Sequence, residues 1–163
     1  MKRLVFTVCT LALLGIFAFG WFRPNQVLQR RTRKFLHTLT LVSGSARSDR
    51  QLGIYALNGL LASQVELNAP PSLDEANGIF ERSEIQSAFS WLCDQAKQTR
   101  FNLKNFHSVT ITGDQAEVAF SLEALVELPS DRPVDGAYEV IIHWQKENKA
   151  WHIARVTWEE AGL

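Results

Sequence analysis

The sequence predicts an α+β fold, with three helices packed on a strongly curved, mainly antiparallel sheet and one transmembrane helix before them. Three observations support this prediction. Residues 4–22 form an uncharged apolar run, residues 25–61 and 83–96 carry apolar side chains at helical spacing, and most of residues 106–159 alternate apolar and polar side chains as strands do. Helices followed by a series of antiparallel strands are typical of the α+β class, in which the helices cover one face of the sheet.

The composition excludes several classes of protein. The chain has 163 residues, which fits one domain, and its 46% hydrophobic content allows a buried core. Lys and Arg together number 17, as do Asp and Glu, so the protein is not a globally basic nucleic-acid binder. Two cysteines are too few for a disulfide framework or a cysteine-only zinc cluster. The charges are uneven, because residues 23–47 hold six basic and no acidic residues, whereas residues 48–163 hold nine basic and 17 acidic ones.

The apolar run at residues 4–22 is predicted to be a membrane anchor. It has 19 residues without a charge, and as a helix it would span about 28 Å, close to the thickness of the hydrocarbon core. Its terminal Trp and Phe suit the membrane interface. A cleaved secretory signal stays open as the alternative, since Ala18-Phe19-Gly20 resembles a cleavage site. We therefore predict an anchor or signal peptide at residues 1–22, in contact with membrane lipid through residues 4–22, and a globular domain at residues 23–163.

The side of the membrane on which the domain lies depends on two opposing sets of charges. Lys2 and Arg3, before the run, favour a cytoplasmic N-terminus and an exported domain. The basic residues between Arg23 and Lys34 favour the opposite orientation, because positively charged flanks tend to stay in the cytoplasm. We favour a single-pass protein with an extracytoplasmic domain, since a cytoplasmic N-terminus is the commoner arrangement for short N-terminal anchors.

Apolar spacing predicts three helices. The first covers residues 25–42, with one apolar stripe and most arginines on the opposite face. Ser48-x-x-Gln51 resembles a capping box that opens the second helix, and Ser83-x-x-Gln86 resembles one that opens the third. Four side chains of the second helix are expected to face inward: Leu52, Tyr55, Leu60 and Leu61. The third helix has the clearest apolar stripe, formed by Ile85, Ala88, Phe89, Leu92, Cys93 and Ala96.

Alternation with a period of two predicts five strands. They cover residues 64–68, 106–112, 115–128, 137–147 and 150–159. Gly113-Asp114 and Asn148-Lys149 are predicted to be hairpin turns, and residues 129–136 a loop. The longest alternation lies in the third of these strands, whose apolar side chains are expected to share one packed face: Ala116, Val118, Phe120, Leu122, Ala124, Val126 and Leu128.

These elements together resemble the nuclear transport factor 2-like superfamily, which includes ketosteroid-isomerase-like and SnoaL-like proteins. The resemblance covers about residues 25–160. It is carried by the order of the elements and by the first helix, the strand at 65–67, Ile79-Phe80-Glu81-Arg82, Ser83-Glu84-Ile85, Thr112-Gly113-Asp114-Gln115 and Trp151-His152-Ile153. It implies a cone-shaped domain in which a curved sheet wraps around the helices. It also implies a pocket in the cone and dimer contacts on the outer sheet face, both common in the superfamily.

The resemblance further implies which side chains face the inside of the cone. In the superfamily the closing Trp-x-Ile pair faces the helices, so Trp151 and Ile153 are expected in the core. Arg155 and Thr157 are expected to continue the inner face. The resulting candidate ligand-binding pocket consists of Tyr55, Trp91, Tyr138, Trp144 and Arg155. Aromatic walls with one guanidinium suit an anionic or amphipathic ligand. The alternative is that these rings simply fill the cone.

The opposite face of the sheet is predicted to contact another protein. It is expected to carry glutamates together with six apolar side chains, Ala119, Leu125, Ile141, Ala154, Val156 and Trp158. A partly apolar sheet face of this kind suits self-association. We therefore predict a homodimer or another protein contact that includes Ile141, Val156 and Trp158.

No catalytic residue is predicted. Catalytic members of the superfamily have acidic residues and a tyrosine inside the pocket. The short strand of this chain offers only Glu66, which is expected to face outward if Val65 and Leu67 face the core. The four histidines have no metal-ligand spacing, and the motifs of phosphate-binding loops and hydrolase nucleophiles are absent. No metal, cofactor or nucleic acid is therefore expected.

The sequence thus favours a membrane-tethered, non-enzymatic binding or assembly module. The alternative is a small-molecule enzyme of the isomerase or hydratase type, which would work by general acid–base chemistry. One feature separates the two hypotheses. The enzyme needs a titratable group such as Glu66 or Asp94 inside a wet pocket, beside Tyr55 or Tyr138.

Overall fold

The computed structural model of the chain describes residues 24–44, 46–71, 76–129 and 132–162. The predicted membrane anchor at residues 4–22 lies outside these residues. Among the residues that are described, no helix is both long and apolar enough to cross a membrane. The anchor and the side of the membrane on which the domain lies therefore stay predictions.

The described residues form three helices and six strands. In chain order they are α1 (Pro24–Leu39), α2 (Arg47–Asn58), β1 (Leu61–Asn68), β2 (Gly78–Glu81), α3 (Arg82–Gln95), β3 (Gln98–Thr112), β4 (Gln115–Glu127), β5 (Val134–Glu147) and β6 (Ala150–Glu160). The predicted α+β class and the three helices are confirmed. The strands differ in four respects. β2 has no counterpart among the predicted strands, β3 begins well before residue 106, and β1 and β5 each begin three residues before their predicted starts, at Leu61 and Val134.

All six strands belong to one sheet, in the order β2-β1-β6-β5-β4-β3. Neighbouring strands are antiparallel except for β1 and β6, which are parallel. The four predicted C-terminal strands are therefore extended by two, since β1 pairs with the last strand and β2 folds back on β1. A parallel pair needs a long connection, which α3 and the strands β3 to β5 provide here.

The first helix ends earlier than predicted because the segment after it pairs with the sheet. The helix buries one side as expected, and three of its buried side chains, Leu28, Thr32 and Leu36, are four residues apart. Val42, predicted for the same apolar stripe, lies beyond the helix and is 68% exposed. After Leu39, the N–H of Leu41 donates to the carbonyl of Thr99, and the N–H of Thr99 donates to the carbonyl of Leu41, both at 3.0 Å. Leu41 falls off the helical stripe and is buried by this pairing instead.

Neither predicted capping box starts a helix. The second helix, α2, begins at Arg47 after Ala46, whose side chain makes no capping hydrogen bond. The third, α3, begins at Arg82 after Glu81. Its capping box consists of two glutamates: the N–H of Glu81 donates to the Glu84 carboxylate at 2.7 Å, and the N–H of Glu84 donates to the Glu81 carboxylate. Carboxylates at this end also complement the helix dipole, so a pattern based on serine misses the start.

Of the four side chains predicted to face inward from α2, Leu60 and Leu61 are buried, although both lie after the end of the helix. The orientation predicted for the helix itself is wrong. Leu52 is 66% exposed and Tyr55 is 76% exposed, whereas Leu57 is buried. Gly53 faces α3, where the ring of Phe89 lies 3.6 Å from the position that a Gly53 Cβ would take. The helix is therefore rotated about its axis relative to the orientation that the sequence pattern predicts.

The hydrophobic core lies between the helices and one face of the sheet, which we call the inner face; the opposite face is the outer face. β4 alternates as predicted, and Ala116, Val118, Phe120 and Leu122 are buried on the inner face. The ring of Phe120 meets that of Phe106 edge-on, with centroids 6.0 Å apart. Trp144 and Phe120 are the largest fully buried side chains among the described residues, so they contribute most to the buried apolar area.

The last strand, β6, contains a bulge that reverses the faces of its second half. His143 of β5 pairs with Arg155, but the next residue, Trp144, pairs with Ile153, so Ala154 is one extra residue in β6. Because side chains alternate between the faces, one inserted residue turns all later side chains to the opposite face. Before the bulge, Ile153 is buried as predicted.

The bulge overturns four predicted orientations. Val156 and Trp158 are predicted on the outer face, yet both line the inside of the cone. Arg155 and Thr157 are predicted on the inner face, yet both contact polar side chains of β1 on the outer face. A strict period of two fails here because the sequence pattern does not reveal the extra residue.

Candidate functional site

A cavity of about 550 Å³ lies between the helices and the inner face of the sheet, and this volume is typical of small-molecule sites. The helices contribute nine lining residues: Phe35, Leu36, Leu39, Leu57, Ile85, Ala88, Phe89, Trp91 and Leu92. The sheet contributes Leu61, Val65, Leu67, Phe101, Phe120, Leu122, Ala124, Val126, Val134, Tyr138, Val140, Val156 and Trp158. None of these side chains is charged, and Tyr138 carries the only hydroxyl among them.

Helical and strand periodicity bring these side chains to the cavity. Phe35 and Leu39 are four residues apart on α1, and Ile85 and Leu92 are seven apart on α3, spacings that keep each pair on one helix face. On β4 every second residue from 120 to 126 lines the cavity. The amphipathic patterns that build the core therefore also build the cavity.

Tyr138 and two exposed apolar residues lie at the mouth of the cavity. Trp91 of α3 and Val134 of β5 line the cavity although they are 57% and 56% exposed. Tyr138 lies over Gly136, because a Cβ at Gly136 would be 3.0 Å from the Tyr138 hydroxyl. The glycine therefore leaves the space that the tyrosine ring occupies.

Two carboxylates act on the hydroxyl of Tyr138. Burial raises the pKa of Tyr138, and the negative charges of Glu160 and Asp135 raise it further. Glu160 is the direct cross-strand partner of Tyr138 on β6. Tyr138 therefore stays protonated at neutral pH, and its hydroxyl can both donate and accept hydrogen bonds.

The structure brings two of the five predicted pocket residues to this cavity, Trp91 and Tyr138. Tyr55 is exposed and lies elsewhere on α2. Trp144 is 1% exposed and packs in the core, with the Arg31 guanidinium 6.0 Å from its ring centroid. Arg155 lies on the outer face. The guanidinium expected in the pocket is therefore not among the lining residues.

A second, polar depression of about 450 Å³ lies on the outer face. Cross-strand pairing aligns five of its residues in one row across five strands: Glu66, Arg155, His143, Glu117 and Thr110. The Arg155 Nε donates to the Glu66 Oε2 at 2.7 Å, and the His143 Nδ1 lies 3.7 Å from the Glu117 Oε2. The row thus contains two carboxylates, one guanidinium, one imidazole and one hydroxyl.

Glu66 faces outward, as the sequence predicts. Hydrogen bonds from Arg155 and then Asn68 lower the pKa of the Glu66 carboxyl, and the charges of Arg155 and His143 lower it further. The carboxylate is therefore held ionised on the face opposite the cavity. It is out of reach of a ligand bound inside the cone.

The outer face is more polar than the sequence predicts. Ile141 lies there and pairs with Ala119 and Thr157 on the neighbouring strands. Val156 and Trp158, the other two residues predicted for a protein contact, line the cavity instead. The bulge thus removes the two larger apolar side chains from this face.

The cavity offers apolar walls and no acid or base among its described lining residues. Asp94, the other acid considered for catalysis, is exposed and lies in a depression beside Arg50. The described residues also contain no group of three or more His, Cys, Asp or Glu side chains that could hold a metal ion. The arrangement can therefore bind an apolar molecule, with Tyr138 as one hydrogen-bonding group at the mouth.

Most lining residues are absent from the predicted pocket. Leu122, Ala124 and Val126 are apolar, and apolar side chains are equally typical of a filled core and of a cavity wall. The apolar stripes of α1 and α3 are the sequence features that could have indicated the cavity wall, because they contribute more than half of the helical lining residues. The inward orientation of Val156 and Trp158 also depends on the bulge in β6, which the sequence pattern does not reveal.

The sequence matches no family model and no curated protein, whereas many solved structures resemble the fold. An NTF2-like protein from Cytophaga hutchinsonii has a TM-score of 0.65 at 13% identity, over 86% of this chain and 100% of that chain. An NTF2-like superfamily protein from Salmonella enterica serovar Typhimurium has a TM-score of 0.63 at 12% identity, over 85% and 92%. A candidate dehydratase of the NTF2-like family from Streptomyces avermitilis has a TM-score of 0.60 at 14% identity, over 83% and 94%.

At such low identities the similarity concerns the fold and not the activity. It agrees with the three helices and the six-stranded mixed sheet. The resemblance seen in the sequence is confirmed at this level. The chain therefore has the cone-shaped nuclear transport factor 2-like fold.

Proposed function

We propose that this protein is a membrane-tethered, non-enzymatic binding module whose cone holds a small apolar molecule. One observation carries the proposal: the described residues that line the cavity are uncharged, and only Tyr138 among them has a hydroxyl. Burying apolar ligand surface against such walls is favourable by about 25 cal/mol per Å². A volume of about 550 Å³ is sufficient for a molecule with two or more rings or for a folded alkyl chain.

Binding is favoured over the isomerase or hydratase alternative by the position of the acidic residues. General acid–base catalysis needs a titratable group within hydrogen-bond reach of the ligand. Glu66 lies on the outer face and Asp94 is exposed beside Arg50. Glu160 and Asp135 act on the Tyr138 hydroxyl at the mouth, but neither is among the residues that line the cavity. The dehydratase description of one structural neighbour applies to that protein, which is 14% identical to this one.

The membrane tether is supported by the uncharged run at residues 4–22 and by the basic residues of α1. Helix α1 begins at Pro24, directly after the run, so these cations would lie near anionic headgroups. Alkaline carbonate extraction of native membranes tests the tether, and the full-length chain is expected to stay in the pellet. A soluble chain whose mass lacks the residues up to Gly20 would support the signal peptide instead.

Binding is tested by titrating the full-length chain, in phosphatidylcholine nanodiscs, with 4-biphenylmethanol in a calorimeter. Empty nanodiscs supply the blank. Ala88→Trp fills the cavity from the exposed side of α3 and is expected to abolish binding. Ser87→Trp adds the same ring one residue away, outside the lining, and is expected to bind like the wild type. Absence of binding to the wild-type chain, or equal binding to both variants, would contradict the proposal.

We also propose that the protein self-associates through the outer face, as an assembly module would. It now depends on Ile141 and its neighbour Ala119, since Val156 and Trp158 line the cavity. Ile141→Lys is expected to convert a dimer to a monomer in light scattering of the full-length chain. A wild-type chain that is monomeric at high concentration would remove this part of the proposal.

A further inference from the structure

We propose that the mouth of the cavity selects its ligand by charge, accepting neutral and cationic molecules and excluding carboxylates and other anions. This inference rests on the proposed binding function and names the chemical class of the ligand. The sequence leads to the expectation of an anionic or amphipathic ligand, and the inference reverses the anionic part, which depends on Arg155 facing the pocket.

The interior of the cone offers no positive charge to an anion. None of the described lining residues is basic. Arg155 lies on the outer face, where its Nε is 2.7 Å from the Glu66 carboxylate. An anion transferred from water into such walls would lose its hydration without gaining a partner, which is costly.

Two carboxylates act on the Tyr138 hydroxyl at the mouth of the cavity. The negative charges of Glu160 and Asp135 both raise the pKa of Tyr138, and Glu160 has the larger effect of the two. Glu160 is the direct cross-strand partner of Tyr138, so the two side chains lie on the same face of the sheet. Glu139 and Glu159 are opposite each other on the outer face, where Glu139 also lies 2.9 Å from His107.

Tyr138 suits a neutral or cationic head group in this setting. Its hydroxyl stays protonated, since burial and the charges of Glu160 and Asp135 raise its pKa. A ligand hydroxyl can exchange hydrogen bonds with it, and an ammonium can donate to it while being attracted by the two carboxylates. A ligand carboxylate would accept one hydrogen bond but would be repelled by both acidic neighbours.

The test compares three probes that share one ring system and differ in charge: 4-biphenylmethanol, 4-biphenylmethylammonium and 4-biphenylcarboxylate. Calorimetry measures their dissociation constants for the full-length chain in phosphatidylcholine nanodiscs at pH 7 and low ionic strength, with empty nanodiscs as the blank. We expect the alcohol and the ammonium to bind at least about tenfold more tightly than the carboxylate. In 1 M salt the advantage of the ammonium should shrink, because the screening length falls to about 3 Å.

Two variants distinguish the effect of charge at the mouth of the cavity from the effect of charge elsewhere on the surface. Glu160→Gln is expected to reduce the ratio between ammonium and carboxylate affinity by roughly threefold. Glu159→Gln removes the same charge from the next residue, on the other face of β6, and is expected to leave the ratio near its wild-type value.

Each outcome has a distinct meaning. Equal affinity for the ammonium and the carboxylate would overturn selection by charge while leaving the proposed binding function intact. A preference that Glu160→Gln does not change would overturn the role of the mouth. If none of the three probes binds, the proposed function is wrong, and the proposal of selection by charge is wrong as well.

Discussion

The Nε of Arg155 lies 2.7 Å from the Oε2 of Glu66, and this ion pair joins the parallel strands β6 and β1 on the outer face of the sheet. The pair exists there because Ala154 is an extra residue in β6. The same bulge turns Val156 and Trp158 into the cavity. One inserted residue thus removes a positive charge from the binding site and adds two apolar side chains to its wall.

Val156→Asp tests the faces that the bulge assigns. A carboxylate at this position would lie against the apolar wall of the cavity without a partner, so we expect the free energy of unfolding to fall by about 1–3 kcal/mol. Thr157→Asp puts the same side chain on the outer face, where a change within about 0.5 kcal/mol is expected. Chemical denaturation of the two full-length variants measures the difference. Equal losses would mean that the two residues do not face opposite sides.

The ion pair between Glu66 and Arg155 predicts a contribution to stability that depends on pH. In the folded chain the pKa of Glu66 is lowered, chiefly because Arg155 donates a hydrogen bond to it. Such a group stabilises the fold above its unfolded pKa and loses this contribution as the pH falls through its folded pKa. We therefore expect the wild type to lose more stability than Glu66→Gln as the pH is lowered below about 4.5.

Urea denaturation across this pH range measures the effect. Both side chains are partly exposed, so the effect should be small and should shrink at high salt. Arg155→Gln should flatten the same part of the pH dependence. Glu123→Gln breaks the exposed ion pair with Lys104 and serves as the control. Its stability should keep the part of the pH dependence that comes from Glu66. If the wild type and Arg155→Gln respond alike to acid, the ion pair does not form in solution.

Gly136→Ala tests the position of Tyr138. The new Cβ would be 3.0 Å from the Tyr138 hydroxyl and 3.1 Å from two ring carbons, so the ring must move. The end of a side chain can rotate away, and alanine restricts the unfolded chain more than glycine does, so the melting temperature should stay equal or rise slightly.

The affinity of Gly136→Ala for 4-biphenylmethanol should fall by roughly three- to tenfold, the equivalent of one hydrogen bond. Calorimetry and thermal melting measure the two effects separately. Gly162→Ala is the matched control, because no atom lies within 4 Å of its added Cβ. Unchanged affinity would mean that the Tyr138 hydroxyl does not contact the probe.

Phe120→Ala is expected to lower the free energy of unfolding by about 3–5 kcal/mol, because Phe120 is fully buried and its removal enlarges the cavity. A double-mutant cycle with Phe106→Ala should reveal a coupling of about 0.5–1.5 kcal/mol from the edge-to-face contact. Denaturation of the wild type, both single variants and the double variant provides the data. Strict additivity would show that the rings do not interact.

Local patterns in the sequence account for most of the elements. The alternation in β4 correctly predicts the buried Val118 and Phe120, and the turn at Gly113 has the positive φ of 62° that glycine permits. The stripe of α3 correctly predicts the buried Phe89 and Cys93. These features depend on residues close together in the chain, so period and turn chemistry are sufficient to find them.

The positions of Tyr55, Arg155 and Trp158 depend on contacts between distant parts of the chain. Tyr55 is exposed because α2 turns Gly53 toward Phe89 of α3. Arg155 and Trp158 follow a bulge that is defined only by the pairing of β6 with β5. β1 likewise joins the sheet by pairing with β6, far along the chain.

The sequence by itself determined the order of helices and strands, the alternation of β4 and the resemblance to a cone-shaped fold. The tertiary structure alone decided that the cavity is apolar, that Glu160 lies opposite Tyr138 and that the predicted guanidinium lies on the opposite face. The physical reason is that a periodic pattern shows which side chains of a segment are apolar and which are polar, and therefore that one side of the segment is buried. The strand register, which decides which face each side chain takes, is set by hydrogen bonds to residues far away in sequence.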